Sequence, residues 1–123
     1  MNKYIFITVF FSTLIMLSSS CFTTKCKIDE KFQNDFFYNI EVVEATERGE
    51  LQNINNYLTS LNYLMKLTKC EAQIFYDEAP RYKNEKALNE DIQSWEKWYE
   101  DNKCDFTKEK ADSITQKNSS NKQ

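Results

Sequence analysis

Apolar side chains recur at helical spacing in two stretches that meet at Gly49, and this pattern constrains the fold more than any other feature of the chain. Steps of three and four residues place side chains on one face of an α-helix. Gly49, the one glycine of the chain, is typical of a helix end. The pattern predicts two helices that fold back on each other as a hairpin. The apolar positions are Ile28, Phe32, Phe36, Ile40 and Val43, followed by Leu51, Ile54, Leu58, Leu61 and Met65.

Residues 69–84 interrupt this pattern around Pro80. Proline lacks the helical N–H donor, and it pushes the preceding Ala79 toward an extended conformation. The segment is therefore predicted to be an aromatic-rich loop, with a short strand from Ala72 to Tyr76.

A third helix is predicted after Asn84, whose side chain is a suitable N-cap. Its apolar positions recur from Leu88 to Tyr99, and it is expected to end near Cys104. The residues beyond, 105–123, are almost free of apolar side chains and are predicted to be a disordered tail. The predicted fold is a small all-α, three-helix domain over residues 28–104.

The second helix (LTSLNYLMKLTK), the aromatic loop and the segment DIQSWEKWYEDNKC resemble the end of small HEAT-like helical proteins. In those proteins a W-x-x-W-Y helix packs beneath an aromatic loop. The resemblance implies a helical scaffold and no specific activity.

Residues 1–20 have the layout of a secretory signal peptide. A short basic start is followed by an apolar run, which is shorter than the roughly 20 residues needed to cross a bilayer, and then by three serines. This leader is predicted to be removed.

The sequence LSSSC, which ends at Cys21, resembles the lipobox of bacterial lipoproteins, with Ser18 in the place of the usual aliphatic residue. The resemblance implies that Cys21 is acylated, that residues 21–27 link the lipid to the domain, and that the protein is anchored to a membrane of the cell envelope, facing the periplasm. Ordinary cleavage after Ser20 is the alternative.

Three further cysteines remain, and export permits a disulfide. Cys70 and Cys104 each follow a predicted helix, so a Cys70–Cys104 bond is predicted if the third helix runs parallel to the second. The alternative is Cys26–Cys70, because a helical hairpin also brings these two cysteines to one end. No metal site and no cofactor are predicted, since the chain has no histidine and one glycine.

The charge balance argues against nucleic acid as a partner. The chain has 16 Lys and Arg against 19 Asp and Glu, a net charge of −3. Binding to nucleic acid depends largely on cations that neutralise phosphates.

The candidate binding surface is the aromatic loop together with the third helix. Aromatic rings in this region either line a pocket or fill the core between loop and helix. The predicted surface residues are Tyr76, Asp77, Glu78, Tyr82, Trp95, Trp98 and Tyr99.

These features lead to a leading function hypothesis, a lipid-anchored binding module of unknown ligand. The alternative is an immunity or inhibitor protein that neutralises a toxin or hydrolase in the same compartment. No enzymatic activity is predicted, because only Asp77, Glu78 and Arg81 offer catalytic groups and their spacing matches no known catalytic motif.

Overall fold

The computed structural model describes residues 26–116, and these residues are mostly helical. Four helices and a two-stranded antiparallel sheet follow one another along the chain. The predicted helical class is therefore confirmed in outline, whereas the count of three helices is corrected to four among the described residues, and the one predicted strand has a partner strand. The elements are α1 (Glu30–Glu47), α2 (Ile54–Thr68), β1 (Ile74–Tyr76), β2 (Pro80–Tyr82), α3 (Glu85–Asn102) and α4 (Lys108–Gln116).

The helices α1 and α2 form the predicted hairpin and supply most of the core. The predicted stripe of α1 is buried, whereas in α2 the buried apolar face is Tyr57, Leu61, Leu64 and Leu67, so that only Leu61 of the predicted stripe is fully buried. Asp29 caps α1 by accepting a hydrogen bond from the N–H of Phe32 at 2.9 Å, and this bond lowers the pKa of Asp29. Asn53 caps α2 in the same way. The chain reverses at Gly49, whose φ of +78° favours glycine.

The segment between α2 and α3 is a β-hairpin, residues 74–82. The predicted strand is present in shortened form as β1, and its partner β2 is an element that the sequence analysis did not predict. Ile74 pairs with Tyr82 and Phe75 pairs with Arg81. Cross-strand partners share a face, so Tyr82 and Ile74 lie on the inner face and Phe75 and Arg81 on the outer face.

Aromatic rings join α3 to α1. The ring centre of Phe36 lies 5.1 Å from that of Tyr99 and 5.8 Å from that of Trp98, while Trp95 is completely buried. Asn84 caps α3, as predicted, by accepting from the N–H of Ala87. The contacts place the end of α3 beside the start of α1.

Residues 108–116 form helix α4, so the prediction of disorder after Cys104 is wrong for this part of the tail. Helix α4 packs against α1 and α2 through the buried Ala111, and Lys66 donates a hydrogen bond to the carbonyl of Thr115 at 3.1 Å. The backbone N–H of Lys108 donates a hydrogen bond to the carboxylate of Asp29 at 3.3 Å, and this bond holds the start of α4 beside α1. Few apolar residues are enough because the short helix lies on a surface that is already formed. Residues 117–123 lie outside the described part.

The disulfide bond joins Cys26 to Cys104, with their Cα atoms 5.4 Å apart. The predicted Cys70–Cys104 bond and the alternative Cys26–Cys70 are both wrong. Aromatic packing places the end of α3 beside the start of α1, and this brings Cys104 next to Cys26. The thiol of Cys70, in contrast, points to the carbonyl of Thr68 at 3.7 Å.

Candidate functional site

The structure divides the predicted binding surface into two groups. Tyr76, Asp77 and Glu78 are exposed on the β-hairpin. The other group consists of Tyr82, Trp95 and Tyr99, which are buried, and Trp98, which is half-buried.

The three buried side chains do not form an exposed surface. Trp95 and Tyr99 pack in the centre of the core, and Trp98 stacks on Phe36 and meets the edge of Phe106. Their helical spacing reflects packing of α3 onto α1. The prediction that Tyr82, Trp95 and Tyr99 line a contact surface is therefore wrong.

Asp91 fastens the base of the hairpin to α3. Its buried carboxylate accepts hydrogen bonds from the hydroxyl of Tyr82 at 2.8 Å, from the N–H of Gln73 at 2.7 Å and from the side-chain amide of Gln73 at 3.0 Å. No cation pairs with this carboxylate within residues 26–116. Three donors therefore replace the water that burial removes.

Glu47, at the end of α1, holds the other side of the hairpin. It accepts a hydrogen bond from the N–H of Tyr82 at 3.2 Å and another from the hydroxyl of Tyr57. Burial, followed by the neighbouring carboxylates, raises the pKa of Tyr57 and the pKa of Tyr82 above the usual tyrosine range. Both phenols therefore stay protonated at neutral pH and act as hydrogen-bond donors.

These contacts place the hairpin beside the connection between α1 and α2, which we call the turn end of the domain. Four large apolar side chains are exposed there: Leu51 (46%), Ile54 (43%), Phe75 (55%) and Tyr76 (73%). Glu47 joins the two groups at this end, because its carboxylate accepts hydrogen bonds from both Tyr57 near the start of α2 and Tyr82 of the hairpin. We call these four exposed residues the turn-end patch.

Charged groups border the turn-end patch. The Lys83 ammonium lies 5.9 Å from the ring centre of Phe75, and Arg81 is the cross-strand neighbour of that ring. Asp77 and Glu78 occupy the tip of the hairpin. An open depression of about 450 Å³ is lined by the two exposed rings together with Asp77, Arg81 and Lys83.

The carboxylates at the hairpin tip do not lie in an enclosed cavity. Asp77, Glu78 and Arg81 are all exposed, and this is typical of a polar loop. Within residues 26–116, no group of three or more acidic or cysteine side chains is arranged to hold a metal ion.

Leu51 and Ile54 belong to the predicted apolar stripe but are exposed, and the hydrogen bonds by which Glu47 and Asp91 hold the hairpin were not predicted. The exposure of Leu51 could have been predicted from Asn53, because an N-cap at this position starts α2 at Ile54 and leaves Leu51 outside the helix. Asp91 lies on the apolar face of α3, and a carboxylate on such a face needs buried partners.

The disulfide lies at the opposite end of the domain. Helix α1, which has 18 residues and is therefore about 27 Å long, begins shortly after Cys26 and ends at Glu47. The predicted lipid-attachment residue, Cys21, and the predicted leader, residues 1–20, lie outside the described residues. None of the helices within residues 26–116 combines the length and the apolar character required to span a bilayer.

Comparison with known proteins gives no match, because no family model fits the chain and no curated protein or solved structure is significantly similar to it.

Proposed function

We propose that the protein is a lipid-anchored binding module of a bacterial cell envelope, which is attached through Cys21 and contacts a protein partner through the turn-end patch. The observation that carries this proposal is the exposure of Phe75 and Tyr76 at the same end of the domain as the exposed Leu51 and Ile54. Aromatic side chains exposed together are enriched in protein interfaces. The proposal includes neither catalysis nor binding to nucleic acid.

The position of the disulfide supports the anchor in this proposal. Cys21 precedes Cys26 by five residues, a reach of about 17 Å. Cys26 is fixed to the end of α3, so the anchor leaves the domain at the end opposite the turn-end patch. A partner would then meet the patch on the side of the domain that faces away from the membrane. A disulfide also suits an oxidising compartment outside the cytosol.

Acylation of Cys21 is expected to be visible in the intact mass of the protein purified from its native host. The mature chain should begin at Cys21, carry at least two acyl chains and sediment with membranes, because two chains give stable anchoring. A Cys21→Ser variant should lose the acyl mass and leave the membrane fraction. An unmodified amino end at residue 21 in a freely soluble protein would contradict the anchor.

The turn-end patch is expected to carry the partner contact. With a photo-crosslinking amino acid in place of Glu78, envelope preparations should give a discrete adduct. The double variant Phe75→Ala, Tyr76→Ala should reduce the adduct by about tenfold or more, because two exposed rings are expected to act as interface anchors. Its melting temperature should change little, since both rings are exposed.

Two controls make this measurement specific. Tyr38 is also an exposed aromatic residue, but it lies on α1 away from the turn end, so Tyr38→Ala should leave the adduct unchanged. A crosslinker at Glu96, exposed on α3, should give no such adduct. Equal yields in the double variant and in Tyr38→Ala would refute the contact surface.

A second candidate function is inhibition or immunity against a toxin or hydrolase in the same compartment. The observation that favours it is the exposed hairpin tip, where Asp77 and Glu78 are available to a basic active site. Under this function the crosslinked partner is a hydrolase or a toxin, and Asp77→Lys with Glu78→Lys restores its activity. Unchanged inhibition by this variant would remove the candidate.

A further inference from the structure

We propose that β1 receives an extended segment of the partner as a third antiparallel strand, and that this segment carries acidic side chains on the face that bears Phe75. The inference rests on the proposed function, because it names what the turn-end patch recognises. It follows from the hydrogen-bond pattern of the hairpin, the composition of β1 and the charges around Phe75.

The hydrogen-bond pattern leaves the outer edge of β1 open. The N–H of Tyr82 donates to Glu47 and therefore points away from β1, while Pro80 has no N–H to donate. In an antiparallel pair, bonded and non-bonded residue pairs alternate. Phe75 and Arg81 are accordingly the bonded pair, and the N–H and C=O groups of Ile74 and Tyr76 point outward.

Only one of the two hairpin edges is covered. Glu47 occupies the outer edge of β2, and β2 packs against α3. Among the described residues, no side chain or loop donates to or accepts from the outward groups of Ile74 and Tyr76. An unpaired edge of this kind is a template for another strand.

The composition of β1 leaves this edge unprotected. Proteins commonly shield exposed edges with a lysine or a proline in the edge strand. The sequence of β1 is Ile-Phe-Tyr, with neither a charge nor a proline, and the one proline of the hairpin lies in the covered strand β2. The two larger side chains of β1, Phe75 and Tyr76, are exposed as well.

The positive charges near Phe75 favour a partner strand with acidic side chains. Arg81 and Lys83 lie beside Phe75 on the outer face, and neither has a carboxylate partner within residues 26–116, whereas nearby Lys86 pairs with Glu90. A strand added to β1 presents alternate side chains to the two faces. Acidic residues in the positions facing Phe75 meet the two cations, and apolar residues in the other positions contact Ile74 and Tyr76.

A short synthetic peptide tests this chemistry. The probe is acetyl-Val-Glu-Val-Glu-Val-amide, and the control peptide has lysine in place of both glutamates. In an NMR titration of the folded, disulfide-bonded domain, the glutamate peptide should shift the amides of Ile74 and Tyr76 and slow their hydrogen exchange. The lysine peptide should bind at least about tenfold more weakly, because like charges then face Arg81 and Lys83.

A matched pair of variants isolates the backbone contribution. Tyr76→Ala removes the ring and keeps the outward N–H, whereas Tyr76→Pro removes both. Proline is tolerated in edge strands when its N–H would face solvent, so both variants should fold, as checked by their melting temperatures. The proline variant should bind the glutamate peptide about tenfold more weakly than the alanine variant, a loss typical of one hydrogen bond. Arg81→Glu, which leaves the edge intact, should weaken binding similarly.

Equal affinity of the proline and alanine variants would overturn strand addition, and so would the absence of saturable shifts at about millimolar peptide. Neither result would affect the crosslink between the turn-end patch and its envelope partner. Loss of that crosslink specificity, in contrast, would refute the proposed function itself, so the two failures can be told apart.

Discussion

Loss of the Cys26–Cys104 bond is expected to lower the free energy of unfolding by about 4 kcal/mol. The bond closes a loop over a sequence separation of 78, and in the chain-entropy model the stabilisation grows with the logarithm of loop length. Domains of this size have a total stability of about 5 to 15 kcal/mol. The reduced domain should therefore retain little margin against unfolding at physiological temperature.

The measurement compares thermal melts of the oxidised protein, the reduced protein and the double variant Cys26→Ser, Cys104→Ser. A shift of about 20 °C is expected, since 1 kcal/mol corresponds to roughly 4 to 8 °C in a small domain. Cys70→Ser is the matched control, because Cys70 is half-buried and has no disulfide partner among the described residues; its melt should shift by a few degrees. A large shift in Cys70→Ser with none in the double variant would contradict the observed pairing.

The pairing of the cysteines could not be predicted from the sequence. Predicted helix directions bring Cys26, Cys70 and Cys104 to one end of the domain, but they do not say which two of the three lie side by side. The choice depends on rotation of α3 about its axis, which is set by the packing of Trp95, Trp98 and Tyr99 against α1. The apolar stripe on α3 is broad, so its period does not fix that rotation.

Local signals identified the helices well where an apolar stripe and a cap coincide. The stripe of α1 and the Asn84 cap of α3 were predicted correctly from the sequence. Helix α4 was missed because its contacts are few, although Thr107, whose hydroxyl accepts from the N–H of Lys110, is a recognisable cap. Tertiary packing rather than intrinsic pattern stabilises this short helix.

The candidate site was predicted less well than the helices. Tyr76, Asp77 and Glu78 are exposed, as expected for residues of a binding surface. Their role in binding stays a prediction. Tyr82 was misplaced because its strand was not predicted: alternation along β2 turns Tyr82 inward and Arg81 outward. A period of two over three residues is too short to be recognised in the sequence.

The two ends of the domain have different structural roles. The disulfide end fixes the chain that leads to Cys21, and the turn end presents Phe75 and Tyr76 on a hairpin that lies against the helices. Because a hairpin of three-residue strands is marginal on its own, its position depends on the carboxylates of Glu47 and Asp91. The geometry of the turn-end patch therefore depends on buried hydrogen bonds as well as on its own exposed residues.

Replacement of Asp91 by alanine is expected to lower the free energy of unfolding by about 3 kcal/mol and to release the base of the hairpin. The change leaves the Tyr82 hydroxyl and the Gln73 N–H without their acceptor, whereas the side-chain amide of Gln73 keeps its bond to Glu90 at 3.3 Å. A buried donor that loses its acceptor is costly. Tyr82→Phe removes one of the three bonds and should cost about 1 kcal/mol. Hydrogen exchange should accelerate in residues 74–82 before it accelerates in α1 and α2.

Asp101→Ala is the matched control for Asp91→Ala, because Asp101 is an aspartate on the same helix that forms only an exposed ion pair with Lys97. Exposed pairs of this kind contribute at most about 1 kcal/mol, so this variant should melt close to the parent. The Asp91 variant should also lose the crosslink at the turn-end patch, although Asp91 itself is buried and cannot contact the partner. If the two variants melt alike and keep the same hairpin protection, Asp91 does not hold the hairpin, and its three hydrogen bonds contribute no net stability.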